Sequence, residues 1–274
     1  MIDLSSELTT ASLLAREAGR HIMKTYEKDF SVSYKGPSDP VTEADQQANT
    51  IIVDGLKQHF PRDIIVAEES PPPTNLSATG RVWYVDPLDG TKEFINKNGE
   101  FSVMIGLAID GHAQLGVVYQ PAHDVLYTGL TNREASMETA SGRTPLKTSM
   151  NQQPESLTLI VSRSHRNPKI DTIKHHVGIT KEFPCGSVGL KIGAIAKHDA
   201  DAYIEPGPFT SVWDACAPEA IIRGAGGQFT NIYGEPILYG YDTLKNTKGL
   251  VATNGACHDH VIQSISPITE QIRG

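Results

Sequence analysis

The chain has 274 residues, enough for one large domain or two that pack closely. Apolar residues make up 39% and charged residues 20%, which is the composition of a soluble protein with a sizeable core. The formal net charge of -8 argues against a general nucleic-acid or anionic-membrane surface, though not against an anionic small substrate, because a divalent cation reverses the local charge of a site.

In chain order, Leu4, Leu8, Ala11, Leu14, Ala15, Ala18 and Ile22 recur at helical spacing and predict an amphipathic helix over residues 4–28. VSYKGPSDPVTEAD reads as a polar Gly/Pro loop. Thr42 then caps a second helix running to about His59, with Ala44, Ala48, Ile51, Ile52 and Leu56 as its apolar side. DIIVAEES predicts a short strand ending in acid, PPPTNLSATG a surface loop, and RVWYVD another strand. FSVMIGLAIDGHAQLGVVYQP predicts a hairpin turning at Asp110-Gly111, the preferred two-residue turn, and VLYTGL extends its sheet. Residues 131–156 are polar and weakly patterned. A boundary near them gives an N-terminal α+β half (1–150) and a C-terminal α/β half (151–274), packed as one unit.

The second half reads as a strand (LTLIVSRSH), a helix-like SVGLKIGAIAKHDA, the strand DAYIE and a helix over about Trp213–Gly224. A short strand pair near Gln228–Leu238 and the strand GLVATN follow. Helices layered on sheets, one of them with an antiparallel hairpin, make the fold class α+β. Cys185, Cys216 and Cys257 are odd in number and lack metal-binding spacing, which predicts buried thiols in a reducing cytoplasm. No leader pattern and no run of ~18 apolar residues is present, so no transmembrane segment is expected. His258 and His260 read as solvated surface.

Acidic residues stand at the ends of predicted strands or the starts of helices: Asp45 after VTEA, Glu68 and Glu69 after IIVA, Asp86 and Asp89 after WYV, and Asp214 after TSVW. Hard oxygen ligands so placed suit Mg²⁺. In Asp86-Pro87-Leu88-Asp89-Gly90-Thr91, Pro87 fixes its own φ and restricts its predecessor, so the bend is stiff. Two carboxylates across such a bend can converge, with the Leu88 carbonyl between them. Gly90 leaves room for a phosphate, and free N–H groups at the start of a helical GTKEF would add an anion site. Each station also has a plain reading: a surface turn, a helix cap or a solvated strand end.

VTEAD, AEES, WYVDPLDGTKEF and VWDACAPEAIIRGAGG, in this order and approximate spacing, resemble the inositol monophosphatase superfamily of lithium-sensitive, Mg²⁺-dependent phosphatases. The resemblance runs from the first helix to the last strand. It implies a layered α/β/α/β sandwich with mixed and antiparallel sheets, and two to three Mg²⁺ ions per site. Glu68, Asp86 and the Leu88 carbonyl would hold the first ion, Asp86, Asp89 and Asp214 the second, and Glu68 with water a weaker third. Asp45 and Thr91, with Glu68, match residues that orient and help deprotonate the attacking water. The implied chemistry is in-line displacement at a phosphate monoester without a covalent intermediate, with the Gly90 and Thr91 N–H groups on the phosphoryl oxygens.

Within the superfamily, DPLDGTKEFINKNGEFSV and VSRSH resemble the 3'(2'),5'-bisphosphate nucleotidases of the CysQ type. Lys92-Glu93-Phe94 stands where inositol monophosphatases usually carry Thr-Asn-Phe. The implied reaction, in sulfur metabolism, takes the 3'-phosphate off adenosine 3',5'-bisphosphate to leave AMP, with the sulfated relative as a second substrate. Ser187 and Lys191 in GSVGLK match a nucleotide-contacting stretch, Lys191 as a point charge on the 5'-phosphate. Gly189 departs from the Ser of the bacterial enzymes. His165 and Arg163 would line the adenosine side, or be plain surface residues. The implied substrate contacts are Glu68, Leu88, Asp89, Gly90, Thr91, Ser187, Lys191, Asp214 and His165. The alternatives are an inositol or sugar phosphatase and a metal-dependent phosphate sensor. The expected partner is a small nucleotide, met by a monomer or homodimer in the cytoplasm or peripheral to the inner membrane, as in some bacterial relatives.

Overall fold

The structure is a computed structural model that describes residues 2–273 apart from 29, 30, 37, 38, 75, 77, 241 and 242. The first half runs α1 (Ser5–Tyr26), β1 (Val32–Gly36), β2 (Asp39–Thr42), α2 (Glu43–His59), β3 (Ile64–Ala67), β4 (Arg81–Asp89), α3 (Thr91–Ile95), β5 (Ser102–Ile109), β6 (His112–Gln120), β7 (Val125–Leu130), β8 (Glu134–Thr139) and β9 (Gly142–Pro145). The second runs β10 (Thr158–Ser162), α4 (Ile170–Val177), β11 (Lys181–Cys185), α5 (Val188–Ala196), β12 (Ala202–Glu205), α6 (Val212–Gly224), β13 (Gln228–Thr230), β14 (Leu250–Thr253), α7 (His258–Ile265) and α8 (Thr269–Arg273).

A seven-stranded sheet, ordered β3-β4-β5-β6-β7-β8-β9, faces a five-stranded sheet, ordered β11-β10-β12-β14-β13. Strand alternation sorts their side chains. Trp83, Val85, Val103, Ile105 and Val117 face the α1–α2 layer, while Val82, Tyr84, Met104 and Val118 face the core between the sheets. That middle core holds α5 and α6, and Ile160, Tyr203 and Phe229 close it from the second sheet. Leu159, Val161, Ala202 and Ile204 point the other way, onto α4 and α7. The expected α/β/α/β sandwich is therefore present, with a fifth, helical layer beyond it.

Several elements differ from the sequence expectation. The segment read as a polar loop before Thr42 pairs as the antiparallel ribbon β1–β2, with residues 37 and 38 outside the described ones. Residues 134–145, read as a boundary, add β8 and β9 to the edge of the first sheet. β13 pairs with β14 rather than with a strand near Leu238, and two helices follow β14. The Asp110-Gly111 hairpin forms as expected, with φ of +49° and +77° at the turn residues.

Three glycines set how closely the layers approach. Gly106, Gly116 and Gly129 are register partners across β5, β6 and β7. A methyl group on Gly116 would lie 2.1 Å from the Ala217 carbonyl oxygen, and one on Gly106 2.6 Å from the Ala217 nitrogen. One on Gly129 would lie 2.4 Å from Ile221 Cα. α6 thus rests on bare backbone, and that contact carries Asp214 towards the acids of β4.

Candidate metal and phosphate site

β4 does not end at Asp86. It continues to Asp89, with Asp86 opposite Met104 and Asp89 opposite Ser102. Pro87 and Leu88 on one strand thus face Val103 alone on the other, a bulge where a stiff bend was expected. The Leu88 N–H donates to Asp86 Oδ1 at 2.9 Å and holds that carboxylate in place. Asp214, in the first turn of α6, accepts from the Ser211 N–H at 2.6 Å. Carboxylate oxygens of Asp86, Asp89 and Asp214 all lie within 4.8 Å of one another. Glu68, just past β3, lies beside this trio without being one of it: it hydrogen-bonds Asp86 and acts electrostatically on Asp214.

This clustering has an electrostatic cost. Burial, then the charges of Glu68, Asp89 and Asp214, push Asp86 well above the carboxylate range. Burial, then Asp89 and Glu68, push Asp214 up to about 8. A buried set of hard oxygen donors that resist ionising together is the donor chemistry a divalent cation neutralises, so these residues fit Mg²⁺. Glu69 stands next to Glu68 but takes no part in the three-carboxylate cluster.

Asp45 and Thr91 also meet. Asp45 Oδ2 accepts from the Thr42 N–H at 2.8 Å and its hydroxyl at 2.6 Å, the reach-back of a helix cap. The other oxygen, Oδ1, accepts from the Thr91 hydroxyl at 3.1 Å, and that hydroxyl lies 3.3 Å from the Leu88 carbonyl. Burial raises the Asp45 carboxyl and the Thr42 hydrogen bonds oppose it. Gly90, at φ +95°, starts the five-residue α3, and a side chain there would press on the Glu100 carbonyl.

The second half reaches the cluster through Asp89. Its Oδ2 accepts from the Ser187 hydroxyl at 2.5 Å, from the Val188 N–H and from the Gly189 N–H at 3.3 Å. Asp89 therefore caps α5, the helix that carries Lys191. Burial raises Asp89, and the Lys191 charge and these donors pull it back. Lys191 is 3% exposed; its ammonium donates to the Ser187 carbonyl at 3.1 Å and lies 5.4 Å from the centre of the Tyr203 ring. Gly189 has a steric reason, since a Cβ there would lie 2.7 Å from Val118 and 2.8 Å from Met104.

His165 is placed at the rim, 2.7 Å from the Lys92 ammonium, and burial with that charge lowers its pKa. Arg163 turns one edge of its guanidinium, Nε and Nη2, onto the Glu100 carboxylate at 2.6 Å. Sequence reasoning missed Glu205, whose buried carboxylate accepts from Asn167 and the Gly207 N–H and acts on Lys191 and Tyr203. The signal was weak: an acid ending an apolar strand, as in DAYIE. Glu93, singled out in the sequence only within Lys92-Glu93-Phe94, accepts from the Ser164 hydroxyl at 2.5 Å. His258, read as surface, is 3% exposed between two threonine hydroxyls.

The profile of the Inositol monophosphatase family matches residues 3–270. The 3'(2'),5'-bisphosphate nucleotidase CysQ of Escherichia coli (strain K12) is 37% identical over 229 residues, 82% of this chain and 91% of the relative. The inositol-1-monophosphatase of Bacillus subtilis (strain 168) is 28% identical over 254 residues, 90% of this chain and 92% of the relative. The solved inositol monophosphatase from Anabaena (Nostoc) sp. PCC 7120 superposes with a TM-score of 0.79 at 27% identity, over 97% of each chain. With its profile matched almost end to end and its carboxylates gathered at one point, the chain belongs to the inositol monophosphatase family.

Proposed function

We propose that this chain is a Mg²⁺-dependent, Li⁺-sensitive phosphatase that hydrolyses the 3'-phosphate of adenosine 3',5'-bisphosphate to AMP and phosphate, and acts on its sulfated relative. The observation that carries the choice of substrate is Lys191. A buried ammonium, one helical turn from the cap on Asp89, is a second anion-binding point beside the acidic cluster. A substrate with two phosphates uses both points; a sugar monophosphate uses only the one at the acidic cluster. The 37% identity to a bisphosphate nucleotidase, with Lys92-Glu93-Phe94 in place, supports the same reading.

Glu68, Asp86 and the Leu88 carbonyl would hold one Mg²⁺, Asp86, Asp89 and Asp214 a second, and Glu68 a weaker third. Bound Mg²⁺ supplies the Lewis acidity that makes water nucleophilic at neutral pH and stabilises the leaving oxygen. Asp45 Oδ1 takes the Thr91 proton, which leaves lone pairs of Thr91 Oγ1 to accept from the attacking water and aim it. Burial makes Asp45 a stronger base than an ordinary carboxylate, as a proton acceptor requires. The Gly90 and Thr91 N–H groups face the phosphoryl oxygens, Ser187 and Lys191 take the 5'-phosphate, and His165 borders the nucleoside. Residues 1–150 then supply most of the metal site, and residues 151–274 the last ligand and the nucleotide contacts. Three unpaired cysteines favour the cytoplasm, and among the described residues no helix is long and apolar enough to cross a membrane.

The test is phosphate release with Mg²⁺ from adenosine 3',5'-bisphosphate and inositol 1-phosphate side by side. The nucleotide should be clearly preferred and Li⁺ should inhibit. Equal turnover of the two substrates would sink the specificity assignment.

A further inference from the structure

Glu100 and Arg163 come from different halves of the chain, one just before β5 and the other just after β10. Arg163 Nε donates to Glu100 Oε2 and Nη2 to Glu100 Oε1, both at 2.6 Å, in a planar fork. Arg163 Nη2 also donates to the Pro184 carbonyl at 2.9 Å, and its backbone N–H to the Cys185 carbonyl at 3.1 Å. Glu100 Oε2 accepts a further bond from the Gly186 N–H at 2.7 Å. One carboxylate therefore gathers the end of β11 and the turn into α5. Position 186 has no room for a side chain, since a Cβ would lie 2.4 Å from the Glu100 carbonyl and 2.5 Å from the Glu93 side chain.

The residue held next is strained. Ser187 sits at φ +49°, ψ 132°, a region that side-chain-bearing residues rarely occupy. Such a conformation persists only where its surroundings impose it. Ser187 and the two N–H groups after it occupy Asp89 Oδ2, and the Ser187 hydroxyl also meets Ser102 at 2.8 Å. The Ser187 carbonyl is the acceptor for the Lys191 ammonium. Among the described residues, the hydrogen bonds that orient Asp89 and Lys191 from the second half pass through this turn and the first residues of α5.

We propose that the Glu100–Arg163 pair is a clasp that sets the strained 186–187 turn, and so positions Asp89 in the acidic cluster and Lys191 in the anion subsite together. Neither residue touches the reacting atoms; both are positioning residues. The plain alternative is a surface ion pair, since the two side chains are 40% and 24% exposed, and such pairs contribute little. What separates the clasp from that alternative is its third partner: the same carboxylate oxygen holds Arg163 and the backbone of the turn.

The Lys191 half of the inference rests on the proposed nucleotide reading; the Asp89 half does not. Mn²⁺ affinity is measured by electron paramagnetic resonance without substrate, then KM and kcat for adenosine 3',5'-bisphosphate, in Glu100→Gln, Arg163→Met and the double variant. Either single change should weaken Mn²⁺ binding and raise KM together, by roughly three- to tenfold, with kcat at saturating metal and substrate much less affected. The double variant should be no worse than the worse single one, because both break one device. Arg163→Lys, which keeps the charge and loses the fork, should fall between and serves if Arg163→Met does not fold. Unchanged Mn²⁺ affinity overturns the clasp, whether or not the thermal midpoint falls. Weaker Mn²⁺ binding with no nucleotide turnover in any protein keeps the clasp and removes the nucleotide reading.

Discussion

Gly116→Ala is the sharpest test of how α6 delivers Asp214. In a strand free of close neighbours this change stabilises by roughly 0.5–1 kcal/mol, because glycine loses more freedom on folding. Here the new methyl would lie 2.1 Å from the Ala217 carbonyl oxygen, and moving to an ordinary 3.4 Å contact needs about 1.3 Å of separation. The contact atom is helix backbone three residues past Asp214, so no rotamer change relieves it. Overpacking of this kind costs about 1–3 kcal/mol, opposite in sign to the unstrained expectation. A ligand displaced by about 1 Å can lose roughly a hundredfold in rate. Urea denaturation reads the first effect, and phosphate release against Mg²⁺ concentration reads the second. Gly129→Ala, which presses on Ile221 seven residues from Asp214, should destabilise similarly but spare more activity. Wild-type stability with wild-type Mg²⁺ dependence in Gly116→Ala would refute the close-approach reasoning.

Asp89→Asn should abolish Mg²⁺-dependent phosphate release while circular dichroism still reports a folded chain; retained activity contradicts the site assignment. Lys191→Met should raise KM for adenosine 3',5'-bisphosphate by roughly tenfold or more and leave adenosine 3'-monophosphate nearly unaffected, since that substrate lacks the second phosphate. Equal losses on both substrates would place Lys191 outside the 5'-phosphate subsite. His258 gives a stability prediction. The Thr230 hydroxyl donates to the Asn231 carbonyl, so His258 Nε2 donates to Thr230, and in a neutral ring Nδ1 then accepts from Thr253. Burial pushes its pKa down to about 4 from an ordinary 6.5. The unfolded chain therefore binds the proton more tightly. The resulting stability is whole above pH ~6.5 and is lost as pH falls towards 4, by on the order of 3 kcal/mol. His258→Gln should flatten that part of the urea-midpoint profile; parallel profiles would show that the ring does not titrate there.

What could be read from the sequence follows burial contrast. α1, α2, the β5–β6 hairpin and α6 each have one buried side or a buried body, and their spacing declares it. β9 is exposed at all four positions, so no alternation marks it. β11 contains Pro184 and has no fully buried residue, and α4 is too short for a sustained helical period. The acids could be found as stations, yet their meeting could not, because it needs the parallel pairing of β3 with β4 and the packing of α6, more than a hundred residues on, against them. Nothing in the local sequence marks the glycine row, because its purpose lies in a helix about a hundred residues away along the chain. Arg163 was legible as a cation near the site, while its ion pair with Glu100, 63 residues away along the chain, was not.

The bulge in β4 has one more consequence, a matter of parity. Side chains of a regular strand alternate between faces, so residues three apart point in opposite directions. Asp86 and Asp89 are three apart, and in an unbroken strand one would enter the middle core and the other the α1–α2 layer. The extra residue resets the count. Leu88, two positions after Asp86, packs with Val85 and Trp83 on the opposite face, and Asp89 comes round to the side of Asp86. An odd spacing can therefore bring two charges together only where the pleat slips by one, and the stiff Pro87 stands inside that slip.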